Sequence, residues 1–94
     1  MATSYAPKLY RDNFLIMMSP ELIKAYLEES IDCEHLTVIG DGRHFEAVIV
    51  SKIFDGKSRV QRHQVIFAAL GDKMKEDIHA LSMKTLTPGE WESQ

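Results

Sequence analysis

From Pro20 to Ile31 apolar residues recur at helical spacing. Leu22, Tyr26 and Ser30 form one line and Ile23, Leu27 and Ile31 the next, while Lys24, Glu28 and Glu29 lie elsewhere. Ser19 can cap this helix, Pro20 suits its first position, and Glu21 complements its positive end. The period then becomes two. Glu34 to Ile39 alternates Leu36 and Val38 with His35 and Thr37, which predicts a short strand. Gly40-Asp41-Gly42-Arg43 reads as a turn. His44 to Val50 starts alternating and becomes apolar throughout, as a strand that is central or covered on both sides does. These two strands form an antiparallel hairpin.

After the turn Asp55-Gly56-Lys57, a helix is predicted from about Ser58 to Leu70. On a helical grid Val60, Gln64 and Phe67 share one face, flanked by Val65, Ala68 and Ala69. Arg59, Arg62 and His63 share another, so one side packs on a sheet while the other presents positive charge to solvent. Leu70-Gly71-Asp72 interrupts the pattern, and Asp72 to Glu76 allows one or two further helical turns. His79 to Thr85 alternates again and predicts a third strand. Thr87-Pro88-Gly89-Glu90 supplies a cap, a first-position proline and a capping-box glutamate, with Trp91 anchoring a short terminal turn. Core positions are expected at Leu27, Val48, Phe67, Leu70 and Leu81.

The order is α-β-β-α-α-β, an α+β fold with a three-stranded mixed sheet. The long helical segment between the second and third strands permits a parallel crossover. If those strands are parallel neighbours, His44 and His79 open them at the same end of the sheet, about 4.8 Å apart strand to strand. Two imidazoles far apart in sequence then converge on one small ligand. The competing readings are a hydrogen-bonded strand-end histidine, or an exposed one, at each position.

Residues 1–18 read as an extension ahead of one domain spanning 19–94, and the extension is expected to be mobile or loosely docked. Its apolar cluster, Leu9, Tyr10 and Phe14 to Met17, lacks clean periodicity and does not make a signal peptide. Ninety-four residues suit one small domain, and no apolar run approaches the roughly 20 residues of a membrane span. Net charge is −3, yet Lys52, Lys57, Arg59 and Arg62 against Asp55 leave a local +3 between residues 52 and 62. Such a patch either steers an acidic partner or nucleic acid, or is a solvated helix face. The lone Cys33 excludes an internal disulfide, fits a reducing compartment such as the cytoplasm, and suits a packing role.

An enzyme is not indicated. No nucleophile elbow or triad pattern is present. Gly40-Asp41-Gly42 lacks the strand-to-helix setting of a dinucleotide loop, and Gly56-Lys57-Ser58 lacks the earlier glycine of a phosphate loop. Two histidines do not close a structural zinc site, which takes four ligands, and Cys33, His35 and His63 have no metal-motif spacing to complete one. A metal at His44 and His79 would be completed by a partner. His35 reads as surface. His63 either extends the basic face or packs against the neighbouring loop.

The combination FDGKSRVQRHQVIFAAL, then DIHALSMKTLTPGEW, resembles the BolA-like proteins from Ser19 to Trp91, and the short loop GDGRHF resembles their IbaG-type branch. The resemblance implies a fold similar to the type II KH domain, with helices on one face of the sheet. It implies a non-enzymatic adaptor in iron–sulfur handling and iron homeostasis. Such proteins pair with a monothiol glutaredoxin around a shared [2Fe–2S] cluster, the glutaredoxin supplying a cysteine and bound glutathione. The histidine of the I-H-A motif matches His79, and the ligand of the first hairpin loop matches His44. No cofactor is expected in the isolated chain, which is expected to be a monomer or weak homodimer. BolA-like proteins are also described as DNA-binding regulators of stress response and morphology. Lys57, Arg59, Arg62 and His63 are the corresponding candidates for a nucleic-acid or partner surface. Against a KH domain, however, Arg59 stands where the G-x-x-G loop has its second glycine.

Overall fold

The computed structural model describes residues 18–75 and 77–94. The expectation of a mobile extension falls on residues outside that range, apart from Met18, which packs half-buried against the core. The elements are α1 (Pro20–Ser30), β1 (His35–Gly40), β2 (Phe45–Val50), α2 (Arg59–Leu70), β3 (Leu81–Leu86) and α3 (Pro88–Glu92). The second helix expected in the crossover is instead two 3₁₀ turns, Gly71–Met74 and Ile78–Ala80. Gly71, at φ 53°, ends α2. Met74 from the first turn is nevertheless fully within the core.

Every helix starts where its capping residues dictate. Ser19 Oγ accepts from the N–H of Leu22 at 3.1 Å. Ser58 and Gln61 form a reciprocal capping box at α2, as do Thr87 and Glu90 at α3. Each box satisfies helix-end donors that have no partner within the helix.

The sheet has the order β1-β2-β3. β1 and β2 pair antiparallel, with His35 opposite Val50 and Gly40 opposite Phe45. β2 and β3 pair in parallel, with Phe45 beside Leu81 and Val50 beside Leu86. The central position of β2 matches its near-continuous apolar sequence. Alternation puts Leu36, Val38, Phe45, Ala47, Ile49, Leu81, Met83 and Thr85 on one face. Ile23 and Leu27 of α1 and Ile66 and Leu70 of α2 close over that face in one cluster with Phe54.

The azimuth of α2 differs from the expected one. Its buried residues are Ile66 and Leu70, with Val65 and Ala69 half-buried beside them. Val60 is 65% and Phe67 44% exposed, so Phe67 is not a core residue. The helix turns Ile66 and Leu70 into the core shared with α1 and the sheet and leaves Phe67 at the rim. Arg62, Ile66 and Leu70 lie at i, i+4 and i+8, so burying the last two carries Arg62 inward with them. Val48 is half-buried on the other face of the sheet.

This packing predicts a stability order. Ile66→Ala or Leu27→Ala should each cost about 2–5 kcal/mol in urea unfolding. Phe67→Ala should cost about 1 kcal/mol or less, as a rim substitution does. Equal losses for Ile66→Ala and Phe67→Ala would contradict the orientation of α2.

Candidate ligand pair and basic groove

The hairpin loop between β1 and β2 holds His44 by its backbone. Asp41 Oδ1 accepts from the N–H groups of Arg43 at 2.8 Å and His44 at 2.9 Å. The Asp41 N–H donates to the His44 carbonyl at 3.2 Å. Those backbone donors, led by that of His44, hold the Asp41 carboxyl below its ordinary range. Gly40 is required by close approach, since a Cβ there would stand 2.5 Å from the His44 carbonyl oxygen and from Phe45 Cδ1. Gly42, at φ 94°, supplies the left-handed residue of the turn. The loop is thus tight, and the His44 side chain stands exposed above it.

His79 lies in the 3₁₀ turn just before β3, which begins two residues later than the alternation suggested. The Ala80 N–H closes that turn on the Asp77 carbonyl at 2.9 Å. The parallel register sets Phe45 beside Leu81. His44 is therefore one residue, and His79 two, from the same end of neighbouring strands. Both side chains are exposed. Among the described residues no group of three or more His, Cys, Asp or Glu is placed to hold a metal. This end of the sheet thus offers two imidazole donors, a set that fits half of a shared cluster site and not a closed metal site.

The other candidate donors lie elsewhere. β1 runs antiparallel, so His35 pairs with Val50 at the opposite end of the sheet, and Cys33 just precedes it. His35 is half-buried, its ring stacked on Trp91 at 4.5 Å and 19° between planes. That stack makes Trp91 the anchor of α3, as expected. Burial pushes the Cys33 thiol up, with Asp32 and Glu28 adding to it, as for an inert packing cysteine. His63 is half-buried on α2, edge-on to Phe67, and its Nε2 is buried with no hydrogen-bond partner among the described residues. It does not extend the basic face.

The basic residues gather at that opposite end as well. A groove of about 680 Å³ is lined by Lys57, Arg59, Arg62, Lys84 and Glu90, with Met83 to Leu86 as its wall. The turn at Gly56 therefore does not adjoin the histidine pair, because it follows β2 at the end where β2 finishes. Arg62 does not face solvent as the helical grid suggested. Its side chain is only 14% exposed and pairs with Glu90, NH1 to Oε1 at 2.7 Å and NH2 to Oε2 at 3.2 Å. It also donates to the carbonyls of Lys57 at 3.0 Å and Thr85 at 3.1 Å and lies over the Phe54 ring. Lys57 Nζ donates to the Ile53 carbonyl at 2.9 Å, while Arg59 and Lys84 are exposed.

Hydrogen bonds from Arg62 and then from the Thr87 backbone lower the Glu90 carboxyl to about 2. A carboxyl depressed on folding binds its proton more tightly in the unfolded chain. Its contribution is therefore full above the ordinary value of 4.5 and is lost as pH falls toward about 2. Glu90→Gln keeps an acceptor for the Thr87 N–H and removes only the charge. Urea unfolding from pH 7 to pH 2.5 should show wild type more stable than Glu90→Gln at neutral pH. The difference should hold down to about pH 5 and then shrink steadily. A difference independent of pH would contradict the ion pair.

The chain matches the family model for BolA-like protein over residues 19–90. The acid stress protein IbaG of Escherichia coli is 37% identical over 70 residues, covering 73% of this chain and 83% of that protein. The DNA-binding transcriptional regulator BolA of Haemophilus influenzae is 44% identical over 55 residues, covering 58% of this chain and 53% of its own. A solved bolA protein homologue from Coxiella burnetii superposes with a TM-score of 0.72 at 42% identity, covering 81% of this chain and 99% of that one. Sequence, sheet order and solved relatives agree, and the chain belongs to the BolA-like family.

Proposed function

We propose that this chain is a non-enzymatic adaptor in iron–sulfur cluster handling and iron homeostasis. Its partner is a monothiol glutaredoxin, joined to it through a shared [2Fe–2S] cluster. His79 and His44 are its ligands. The observation that carries the reading is the placement of two exposed imidazoles at one end of neighbouring parallel strands. Among the described residues no group of three or more His, Cys, Asp or Glu is placed to hold a metal. Remaining ligands then come from the partner, as its cysteine and bound glutathione. The bound cluster supplies electron-accepting iron whose potential rises when imidazole replaces thiolate. The chain's own part is to hold two rings. Asp41 fixes the backbone of His44, and the Asp77–Ala80 turn fixes that of His79. A ligating imidazole is deprotonated, so protons compete with the metal and acid weakens the complex. Named relatives are a stress protein and a regulator, in keeping with a chain that does no chemistry of its own.

The test is to load a monothiol glutaredoxin with its cluster and add this protein without oxygen. Visible absorption and circular dichroism are then recorded. A new spectrum is expected that is lost with His79→Ala and altered with His44→Ala. Unchanged spectra in both variants would end the shared-cluster reading.

A second reading is a DNA-binding transcriptional regulator, favoured by the basic groove at the other end of the sheet. The name of the Haemophilus influenzae relative points the same way. Binding of this kind weakens steeply with salt, by a log–log slope of about 0.9 per phosphate neutralised on a duplex. Titration of labelled duplex and single-stranded DNA should show that slope, and absence of binding at low salt would remove the reading.

A further inference from the structure

The groove holds three cationic side chains, Lys57, Arg59 and Arg62, against one carboxylate, Glu90, while alternation along β3 turns the Lys84 side chain to the face opposite Met83 and Thr85. This is a local excess of positive charge on a chain whose net charge is −3. The single carboxylate is set directly on the most constrained cation. Arg62 is held from behind by two backbone carbonyls and by the Phe54 ring, so its guanidinium plane is fixed. Its two terminal nitrogens meet the two oxygens of Glu90 in parallel, at 2.7 and 3.2 Å. This fork matches a phosphate as well as a carboxylate. Glu90 itself is 47% exposed, at the lip of the groove, on a helix of only five residues. Arg59 flanks it without a side-chain acceptor among the described residues.

We propose that this groove takes nucleic-acid phosphate through Arg59 and Arg62, and that Glu90 is its built-in competitor. Glu90 occupies the fork of Arg62 until a phosphate displaces it. The inference rests on the DNA-binding reading and adds to it a gate, Glu90. Arg62 is unsuitable as a probe, because removing it unties α2 from β3 and α3. Glu90→Gln is suitable, because the amide keeps the helix cap while the charge that competes with phosphate is gone.

The experiment measures fluorescence anisotropy of a labelled 20-nucleotide DNA, single-stranded and duplex, with the full chain over a salt series. Glu90→Gln should tighten binding at low salt about fivefold, the factor that one unit-charge contact at 4 Å in water is worth. Its duplex salt slope should steepen by about 0.9, one further phosphate. Arg59→Ala should weaken binding by a similar factor and make the slope shallower by about the same amount. If wild type binds DNA but Glu90→Gln binds no tighter, the gate is wrong and the DNA-binding reading survives. If Arg59→Ala is unchanged, the groove is not the site. If neither wild type nor Glu90→Gln binds DNA at low salt, the reading falls and the gate with it. An oligoglutamate peptide that competes as well as DNA of equal charge would overturn the assignment to nucleic acid.

Discussion

The parallel pairing of β2 with β3 is the constraint on which the rest depends. Its register, Phe45 beside Leu81, sets the histidine of the hairpin loop level with the histidine of the 3₁₀ turn. The same register leaves the start of α2 and the end of β3 together at the other end of the sheet, where the groove forms. A slip of one residue would turn Phe45, Ala47 and Ile49 away from the helices. The core fixes the register because those three positions and Leu81 are buried with Ile23, Leu27, Ile66 and Leu70. The site geometry is therefore a by-product of core packing. The imidazoles need no contact with each other to be held in place.

Arg62 is the second organising residue. It lies on the buried stripe of α2 but ends in a charge, which burial alone would make costly. Two backbone carbonyls, a carboxylate and an aromatic ring satisfy it. Those partners come from the turn before α2, from β3 and from α3, so one side chain ties three segments. The His35–Trp91 stack holds the other end of α3. A terminal helix of five residues has little intrinsic stability. It persists through these two contacts and its capping box, and the ion pair that holds it also neutralises part of the groove.

The two candidate sites are separated by the length of β3. Cluster ligation at the histidine end and phosphate contact at the groove end use different side chains, so one chain has room for both. Neither site draws on Cys33, whose thiol is half-buried and raised by its surroundings.

What the sequence determined is local. Ser19, Ser58 and Thr87 start helices because a short side-chain oxygen meets free backbone N–H groups within three residues. Gly40 to Arg43 make the hairpin turn, and alternation marks the strands, because both signals lie within a few neighbouring positions. Even the parallel pairing that puts His44 and His79 ahead of neighbouring strands was legible, since a long helical connection allows it. The tertiary structure decided what depends on partners distant in sequence. A helical grid cannot say which of two apolar stripes will be buried, because shape against α1 and the sheet settles it. That choice put Ile66 inside and Phe67 outside, and carried Arg62 into a bidentate pair with Glu90. It also put the basic groove and the histidine pair at opposite ends of one sheet.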